Sequence, residues 1–107
     1  MKLILAIVNN DDSAVVSATL TRENYSVTKL STTGGFLMSS NVTLIIGTED
    51  EKVDDVIRII GEHSQKRTEI VPSTVMYGIG VSTSIPLEVT VGGATIFVLP
   101  VDRFEKV

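Results

Sequence analysis

The chain has 107 residues, which is the size of one ordinary globular domain, and we expect a single domain over residues 1–107. Its formal net charge of -4 argues against binding to nucleic acid or to an anionic membrane, because both require clustered lysine and arginine. The sequence has no cysteine and one histidine, so it offers no disulfide frame, no thiol nucleophile and no histidine metal site.

The first predicted element is a strand over residues 3–8, a continuous apolar run of the kind that is buried on both faces of a sheet. The run is too short for a signal peptide, and polar residues follow it without a cleavage pattern. No stretch approaches the roughly 20 apolar residues of a membrane span. We therefore expect a soluble, cytoplasmic protein.

A first helix is predicted after the polar residues 9–13, which are rich in helix-capping side chains, and it runs to about Asn24. Val16 and Leu20 lie one turn apart on its apolar side, with Val15 and Ala18 beside them. These positions predict the face that the helix buries.

A second helix has the clearest local signal. Thr48 and Glu51 have the spacing of a capping box, with Thr48 as N-cap. The apolar positions that follow have the i, i+3, i+4, i+7 spacing of one helical face. They are Val53, Val56, Ile57 and Ile60, and Gly61 is a plausible terminator.

The remaining segments are predicted as strands joined by loops. Strands are expected over residues 25–32, 42–46, 87–91 and 94–99, with a short apolar pair at 70–71. Residues 72–86 contain two prolines, two glycines and many serines and threonines, which predicts a long loop before the last strand.

The order of these elements, β-α-β-β-α-β, predicts an α+β fold of the ferredoxin-like type, with an antiparallel sheet and both helices on one face. Two helices cover only one face of such a sheet. The first, third and last strands nevertheless look apolar on both faces, so self-association is expected to bury the second face.

Signatures of catalysis are scarce. The chain has no Walker phosphate loop, no dinucleotide-binding glycine motif after a strand and no nucleophile elbow. The paired carboxylates at residues 11–12 and 54–55 are interpreted as a helix start and a polar helix face, and His63 as a surface residue. We therefore expect no enzymatic activity, no catalytic residue and no metal site.

Two glycine-rich segments are more informative. Residues 32–37 join two strands, and glycines there allow a close approach of the backbone to a ligand. Phe36 is either a stacking platform for a flat base or a core residue of a hairpin loop. Gly92 and Gly93 form either a tight bend or a second wall of a ligand site. The residues alone leave both alternatives open.

Longer motifs around these glycines resemble a known family. Residues 27–37 (VTKLSTTGGFL), followed by Asn41 and Gly47, are similar to the signature of PII-like cyclic di-AMP receptors, which are small bacterial signal-transduction proteins. Residues 89–102 (VTVGGATIFVLPVD) resemble the closing segment of that family. The similarity extends over nearly the whole chain.

The resemblance implies a homotrimer that binds cyclic di-AMP at its subunit interfaces and signals to a downstream protein through ordering of the 72–86 loop. Phe36 and Leu37 would flank the adenine, Asn41 would bond its edge, and Thr28 with glycine amides would hold phosphate. The ligand-binding residues carried over are Thr28, Gly35, Phe36, Leu37, Asn41, Gly47, Gly92 and Gly93. The alternatives are a PII-type sensor of ATP or ADP and a structural trimeric adaptor without a ligand.

The chain departs from the family at positions that bear on charge. Characterised members carry arginine where this chain has Ser26, and glycine where it has Ser40. Lys29 is the only cation near the motif, and it is predicted to lie on the face opposite Thr28. We therefore expect stacking, the Asn41 amide and the backbone amides of the glycines, including Gly93, to provide the affinity.

Overall fold

The computed structural model describes residues 1–30, 41–77 and 81–107, and for residues 71–77 and 81–87 it describes the backbone alone. The elements, in chain order, are β1 (Lys2–Asn9), α1 (Asn10–Arg22), β2 (Ser26–Leu30), β3 (Asn41–Thr48), a 3-10 turn (Asp50–Lys52), α2 (Val53–His63), β4 (Arg67–Tyr77), β5 (Val81–Val91) and β6 (Ala94–Pro100).

Four of the strands form one antiparallel sheet in the order β2-β3-β1-β6. In the centre of the sheet Leu5 of β1 lies opposite Ile45 of β3 on one side and Phe97 of β6 on the other. This order, with α1 following β1 and α2 following β3, is that of the ferredoxin-like fold. The predicted fold class is confirmed.

The core lies between this sheet and the two helices. Along β1 the side chains alternate between the two faces, and Ile4, Ala6 and Val8 are fully buried on the helical side. The other members of the buried cluster are Val16, Leu20, Val42, Leu44, Ile46, Val56, Ile59 and Ile60. Each large aliphatic side chain buried in this way contributes about 1.5–3 kcal/mol.

Helix α1 begins earlier than predicted, at Asn10, within the polar residues 9–13. The Oδ1 atom of Asn9, the N-cap residue, accepts a hydrogen bond of 2.8 Å from the backbone N–H of Asp11. Val16 and Leu20 are buried as predicted, whereas Val15 is 50% exposed. The helix ends two residues before Asn24, whose positive φ of 70° turns the chain toward β2.

Helix α2 begins differently from the prediction. Thr48 is the last residue of β3 and is buried, and no side chain caps the 3-10 turn or α2. The capping-box prediction is therefore wrong, because the turn that leads into α2 begins at Asp50 with Glu49 as its N-cap residue, so Thr48 lies one residue too early to cap it. The predicted buried face of α2 is also wrong at one position. Ile57, which was predicted to be buried, is 36% exposed, whereas Ile59 is only 2% exposed.

The prediction of a loop over residues 72–86 was also wrong about secondary structure. Strands β4 and β5 pair there as an antiparallel hairpin, with Pro72 opposite Pro86. Residues 78–80, which join the two strands, lie outside the described residues. Proline is compatible with a strand where its missing N–H is not needed by the partner, so composition alone misled the prediction.

The second face of the four-stranded sheet carries no helix, and we call it the helix-free face. Leu3, Leu5 and Ile7 of β1 point to it, next to Ile45 of β3 and to Phe97 of β6, which is 52% exposed. Apolar residues occupy both faces of β1 and β6, as predicted for the first and last strands, whereas β3 places Thr43 and Gly47 beside Ile45 on the helix-free face. No helix in the described part of the chain is long and apolar enough to cross a membrane.

Candidate functional site

Three predicted site residues lie on the helix-free face. Alternation along β3 buries Val42 and Leu44 beneath the helices and places Asn41 and Gly47 on the opposite face, where both are exposed. Thr28 of β2 pairs with Ile45 and shares that face. The structure therefore brings these three residues to one surface of the sheet.

The remaining residues of the glycine-rich motif are not placed by the structure. Gly35, Phe36 and Leu37 belong to residues 31–40, which lie outside the described residues. Their assignment to the ligand site, including the stacking role of Phe36, stays a prediction.

A cleft of about 220 Å³, which we call the glycine cleft, opens at the end of the sheet where β3 and β6 begin. It contains three of the predicted residues, Asn41, Gly92 and Gly93, within one chain. Its full lining is Ile7, Asn41, Lys66, Gly92, Gly93, Ala94 and Thr95.

Gly92 and Gly93 form a left-handed turn between β5 and β6. Their φ angles are +85° and +80°, a region that L side chains rarely adopt. A Cβ atom on Gly92 would lie 2.5 Å from the carbonyl oxygen of Gln65, and one on Gly93 would lie 2.9 Å from Cγ of Lys66. Both glycines are therefore required for the turn to lie against the segment that leads into β4.

The same turn uses one of the amides that the sequence had assigned to phosphate. The backbone N–H of Gly93 donates a hydrogen bond to the carbonyl oxygen of Ser64. This amide is engaged within the turn, and the predicted role of Gly93 in ligand binding stays a prediction. Gly93 also shapes the cleft through its missing side chain.

A second cleft, which we call the terminal cleft, has a volume of about 340 Å³ and contains the other two predicted residues, Thr28 and Gly47. It lies on the helix-free face between the sheet and the segment that follows β6. Its lining is Met1, Leu3, Ser26, Thr28, Ile45, Gly47, Val101 and Phe104. Most of these side chains are apolar, and Ser26 and Thr28 supply hydroxyl groups at one side.

The predicted site residues thus fall into two groups within one chain. Asn41 and Gly47 are six residues apart on β3, a separation of about 20 Å along an extended strand. Asn41 lies with Gly92 and Gly93 in the glycine cleft, whereas Thr28 and Gly47 line the terminal cleft.

The glycine cleft contains a cation that the sequence analysis missed. Lys29 pairs with the buried Leu44 and therefore points to the helical face, opposite Thr28, as predicted. Lys66 lines the glycine cleft, so Lys29 is not the only cation near the motif. The sequence analysis missed Lys66 because its place in the cleft depends on a contact between the segment before β4 and Gly93, and these two segments are distant in sequence.

An ion pair next to the cleft fixes the start of β4. Arg67 donates to both carboxylate oxygens of Asp12, with nitrogen–oxygen distances of 3.0 and 3.2 Å, and Asp12 is buried in the first turn of α1. These bonds raise the pKa of Arg67 above its ordinary value. The Asp12 carboxylate therefore holds β4 against α1, which agrees with the structural interpretation of the pair at residues 11–12.

The other carboxylate pair is likewise structural. The hydroxyl of Tyr25 donates to Oδ2 of Asp55 at 2.7 Å, and Arg58 donates to Oδ1 at 2.7 Å. The hydrogen bond from Tyr25, followed by that from Arg58, lowers the pKa of Asp55, and the same bond raises the pKa of Tyr25. Over the described ranges no cluster of acidic or histidine residues is arranged to hold a metal ion.

Comparison with known proteins gives the family. The sequence model of the cyclic-di-AMP receptor family matches residues 1–107, the whole chain. A crystal structure of a protein from Pediococcus pentosaceus ATCC 25745, described as functionally unknown, is 44% identical in sequence and superposes with a TM-score of 0.74. The similarity covers 99% of this chain and 96% of that one.

The fold defines the chain as a small α+β domain, a ferredoxin-like sheet with two clefts on its helix-free side. The chain belongs to the cyclic-di-AMP receptor family, the PII-like family whose signature residues 27–37 and 89–102 resemble. The recognition made from sequence is confirmed, and the family is one of ligand-binding receptors.

Proposed function

We propose that this chain is a single PII-like domain that acts as a cyclic di-AMP receptor in the bacterial cytoplasm and binds its ligand at the subunit interfaces of a homotrimer. The observation that carries the proposal is the match of the entire chain to a family of cyclic-di-AMP receptors. The fold and the positions of the described site residues support it.

The distribution of the site residues supports an interfacial pocket. Thr28 and Gly47 line one cleft, Asn41 lines another with the two glycines, and about 20 Å of strand separates Asn41 from Gly47. A single compact ligand contacts both groups most simply when the terminal cleft of one subunit adjoins the glycine cleft of its neighbour.

The apolar character of the helix-free face supports the same arrangement. Phe97 and Leu99 of β6 are 52% and 40% exposed in the single chain, beside the partly buried Leu3 and Leu5. Burial of such side chains against a second copy contributes about 1.5–3 kcal/mol for each one fully covered. Association through this face would also enclose both clefts.

In this receptor, the predicted site residues recognise different parts of the nucleotide. Asn41 bonds an adenine edge, Phe36 and Leu37 flank the base, and Thr28 holds phosphate from the terminal cleft. The glycines at 35, 47 and 92 let backbone approach the ligand, and Gly93 shapes the wall beside them.

Signalling is proposed to pass through residues 72–86 of the β4–β5 hairpin. The turn at Gly92 and Gly93 contacts residues 64–67, directly before and at the start of β4. A ligand at that turn would therefore act on the base of the hairpin, and a change in hairpin order would alter the binding of a downstream protein.

Two alternatives remain, and the terminal cleft bears on both. Among the described residues, its lining includes the hydroxyl groups of Ser26 and Thr28 but no positively charged side chain. ATP and ADP carry more negative charge than cyclic di-AMP, so this cleft suits them less well. A sensor of ATP or ADP is one alternative, and an adaptor without any ligand is the other.

A thermal-shift comparison of nucleotides tests the proposal. Cyclic di-AMP at 100 times its Kd stabilises the folded protein by about 2.7 kcal/mol, provided that it binds only the folded state. We expect this stabilisation for cyclic di-AMP and a smaller one for ATP, ADP and cyclic di-GMP. A larger shift with ATP or ADP would favour the rival sensor, and no shift with any nucleotide would favour the adaptor.

A further inference from the structure

We propose that Lys66 is the phosphate-binding cation of the glycine cleft, an inference that rests on the proposed role of the chain as a nucleotide receptor. Lys66 and Thr95, a cation and a hydroxyl donor, both line the cleft beside the turn at Gly92 and Gly93. A cation and a neutral donor beside a glycine turn are suited to a phosphodiester oxygen.

The cleft needs a donor of this kind because its glycine amides are not all available. The Gly93 N–H is bonded to the Ser64 carbonyl oxygen, so it cannot neutralise a phosphate. Among the described residues that line the cleft, Lys66 alone carries a positive charge. It therefore supplies the charge that the backbone does not.

Gly93 also explains how Lys66 reaches the cleft. A Cβ atom on Gly93 would lie 2.9, 3.3 and 3.7 Å from the Cγ, Cε and Cδ atoms of Lys66. The absence of that atom lets the aliphatic stem of the lysine lie across the turn. The stem lies against the turn, and Lys66 as a whole is exposed, so its ammonium group is accessible to a ligand from solvent.

Lys66 is not neutralised by the acidic residues around it. Within the described ranges, the nearby carboxylates Asp12 and Glu69 are both within 4 Å of Arg67, and none lies within that distance of the Lys66 ammonium group. Arg67 is therefore paired with carboxylates and holds β4 against α1. Lys66, its neighbour in sequence, remains available to bind an anion.

The charge of the whole protein makes this local cation important. With a net charge of -4, the chain does not attract a doubly anionic ligand at long range, so contacts inside the site must provide the attraction. Ser26 leaves the terminal cleft without a guanidinium group. Lys66, in the glycine cleft, therefore provides the positive charge of the site.

Titration calorimetry with cyclic di-AMP on the full chain tests the assignment, using Lys66→Gln and the matched control Lys29→Gln. Both variants remove one exposed positive charge, but Lys29 lies on the helical face. We expect Lys66→Gln to weaken binding at least about 5-fold, between the effects of an exposed ion pair and of a charge-assisted hydrogen bond. Lys29→Gln should bind like the wild type.

A salt series gives a second readout that loss of packing would not change. Raising the salt from about 0.05 to about 0.5 M should weaken wild-type binding more than it weakens the Lys66→Gln variant, since screening acts on the charge. Lys66→Arg should restore the salt dependence. Wild-type affinity and salt dependence in Lys66→Gln, or equal weakening by Lys29→Gln, would overturn the assignment and leave the receptor function intact.

The same titrations with ATP and ADP separate this inference from the proposed function. If the wild type binds ATP or ADP but not cyclic di-AMP, the proposed function is wrong, and weakening of that binding by Lys66→Gln would still support the phosphate site. If the wild type binds none of the three nucleotides, both the proposed function and the Lys66 assignment are overturned.

Discussion

Gly92 and Gly93 show how two adjacent residues of one type meet different constraints. Both have positive φ angles, but the nearest atom to a Cβ on Gly92 is a backbone oxygen, whereas on Gly93 it is a carbon of the flexible Lys66 side chain. A lysine side chain can move aside, and a carbonyl oxygen within a fixed turn cannot. The turn therefore depends on Gly92 more strictly than on Gly93.

Alanine substitution tests this difference. Either variant loses about 1–2 kcal/mol because an L-residue is forced into left-handed backbone. Gly92→Ala should lose clearly more, owing to the contact with the Gln65 oxygen. Urea unfolding measures both, with Gly61→Ala in α2 as the control, which should gain up to about 1 kcal/mol. Equal losses at residues 92 and 93 would contradict the account of the turn.

Gly47 differs from Gly92 and Gly93, because its contribution to ligand binding can be measured separately from its contribution to folding. No atom lies within 4 Å of a Cβ built on Gly47, and its φ is not in the left-handed region. Gly47→Ala should therefore change the free energy of unfolding by no more than about 0.5 kcal/mol, as for most exposed positions.

The same Gly47→Ala change should weaken cyclic di-AMP binding, because the added methyl group occupies the terminal cleft. Denaturant unfolding and titration calorimetry on one preparation measure the two effects. Unchanged affinity would remove Gly47 from the ligand site, while a large loss of stability would mean that its surroundings are more crowded than the structure indicates.

Among the elements, α2 is connected to the start of β2 by the Tyr25–Asp55–Arg58 cluster, and this connection depends on pH. The Tyr25 hydroxyl is the main cause of the lowered pKa of Asp55, followed by Arg58. A lowered folded-state pKa adds stability above the unfolded value of about 3.9, and that stability disappears as the pH falls through the folded pKa.

Tyr25→Phe should therefore make the protein less stable than the wild type near neutral pH and reduce its sensitivity to acid. Between about pH 6 and pH 3 the difference in unfolding free energy between the two proteins should shrink, because protonated Asp55 gains less from Tyr25. Urea titrations across this range measure it. Parallel curves would show that the hydrogen bond does not shift the Asp55 pKa.

The β4–β5 hairpin is the element through which we expect the signal to pass. Its strands pack chiefly against each other rather than against the four-stranded sheet, and isolated two-stranded hairpins are marginally stable. We predict that backbone amides of residues 73–77 and 81–85 exchange quickly without ligand and more slowly with cyclic di-AMP. Hydrogen exchange measures this, and full protection without ligand would favour a static domain.

The elements also show why some of the fold could be predicted from sequence and some could not. A continuous apolar run located β1, and capping residues with helical spacing located α1 and its core residues Val16 and Leu20, because these signals are local in sequence. The β4–β5 hairpin escaped prediction because its prolines and glycines are typical of loops. Lys66 escaped with it, since its position depends on a contact with Gly93 that is distant in sequence.

At the scale of the whole molecule, the helix-free face is an apolar surface that no helix in the described part of the chain covers. Phe97, at the centre of β6, is 52% exposed beside the apolar side chains of β1. Phe97→Asp places a charge on this face and should convert the proposed trimer to a monomer. Val15→Asp, on the exposed side of α1, is the matched control and should leave the proposed trimer intact.

Light scattering distinguishes these states, since a trimer has about three times the 11.5 kDa mass of the chain. A trimeric Phe97→Asp variant would mean that the helix-free face is not the interface. A wild type that is monomeric at micromolar concentration would remove the interfacial pocket and the proposed mode of binding together.

Native mass spectrometry of the wild-type protein with cyclic di-AMP tests the central claim most directly, because one spectrum reports both the assembly and the number of bound ligands. An interfacial site repeated by threefold symmetry predicts a trimer that takes up three ligand molecules, with ligand lost when the trimer dissociates. A monomer that retains cyclic di-AMP, or a trimer that takes up none, would contradict the account.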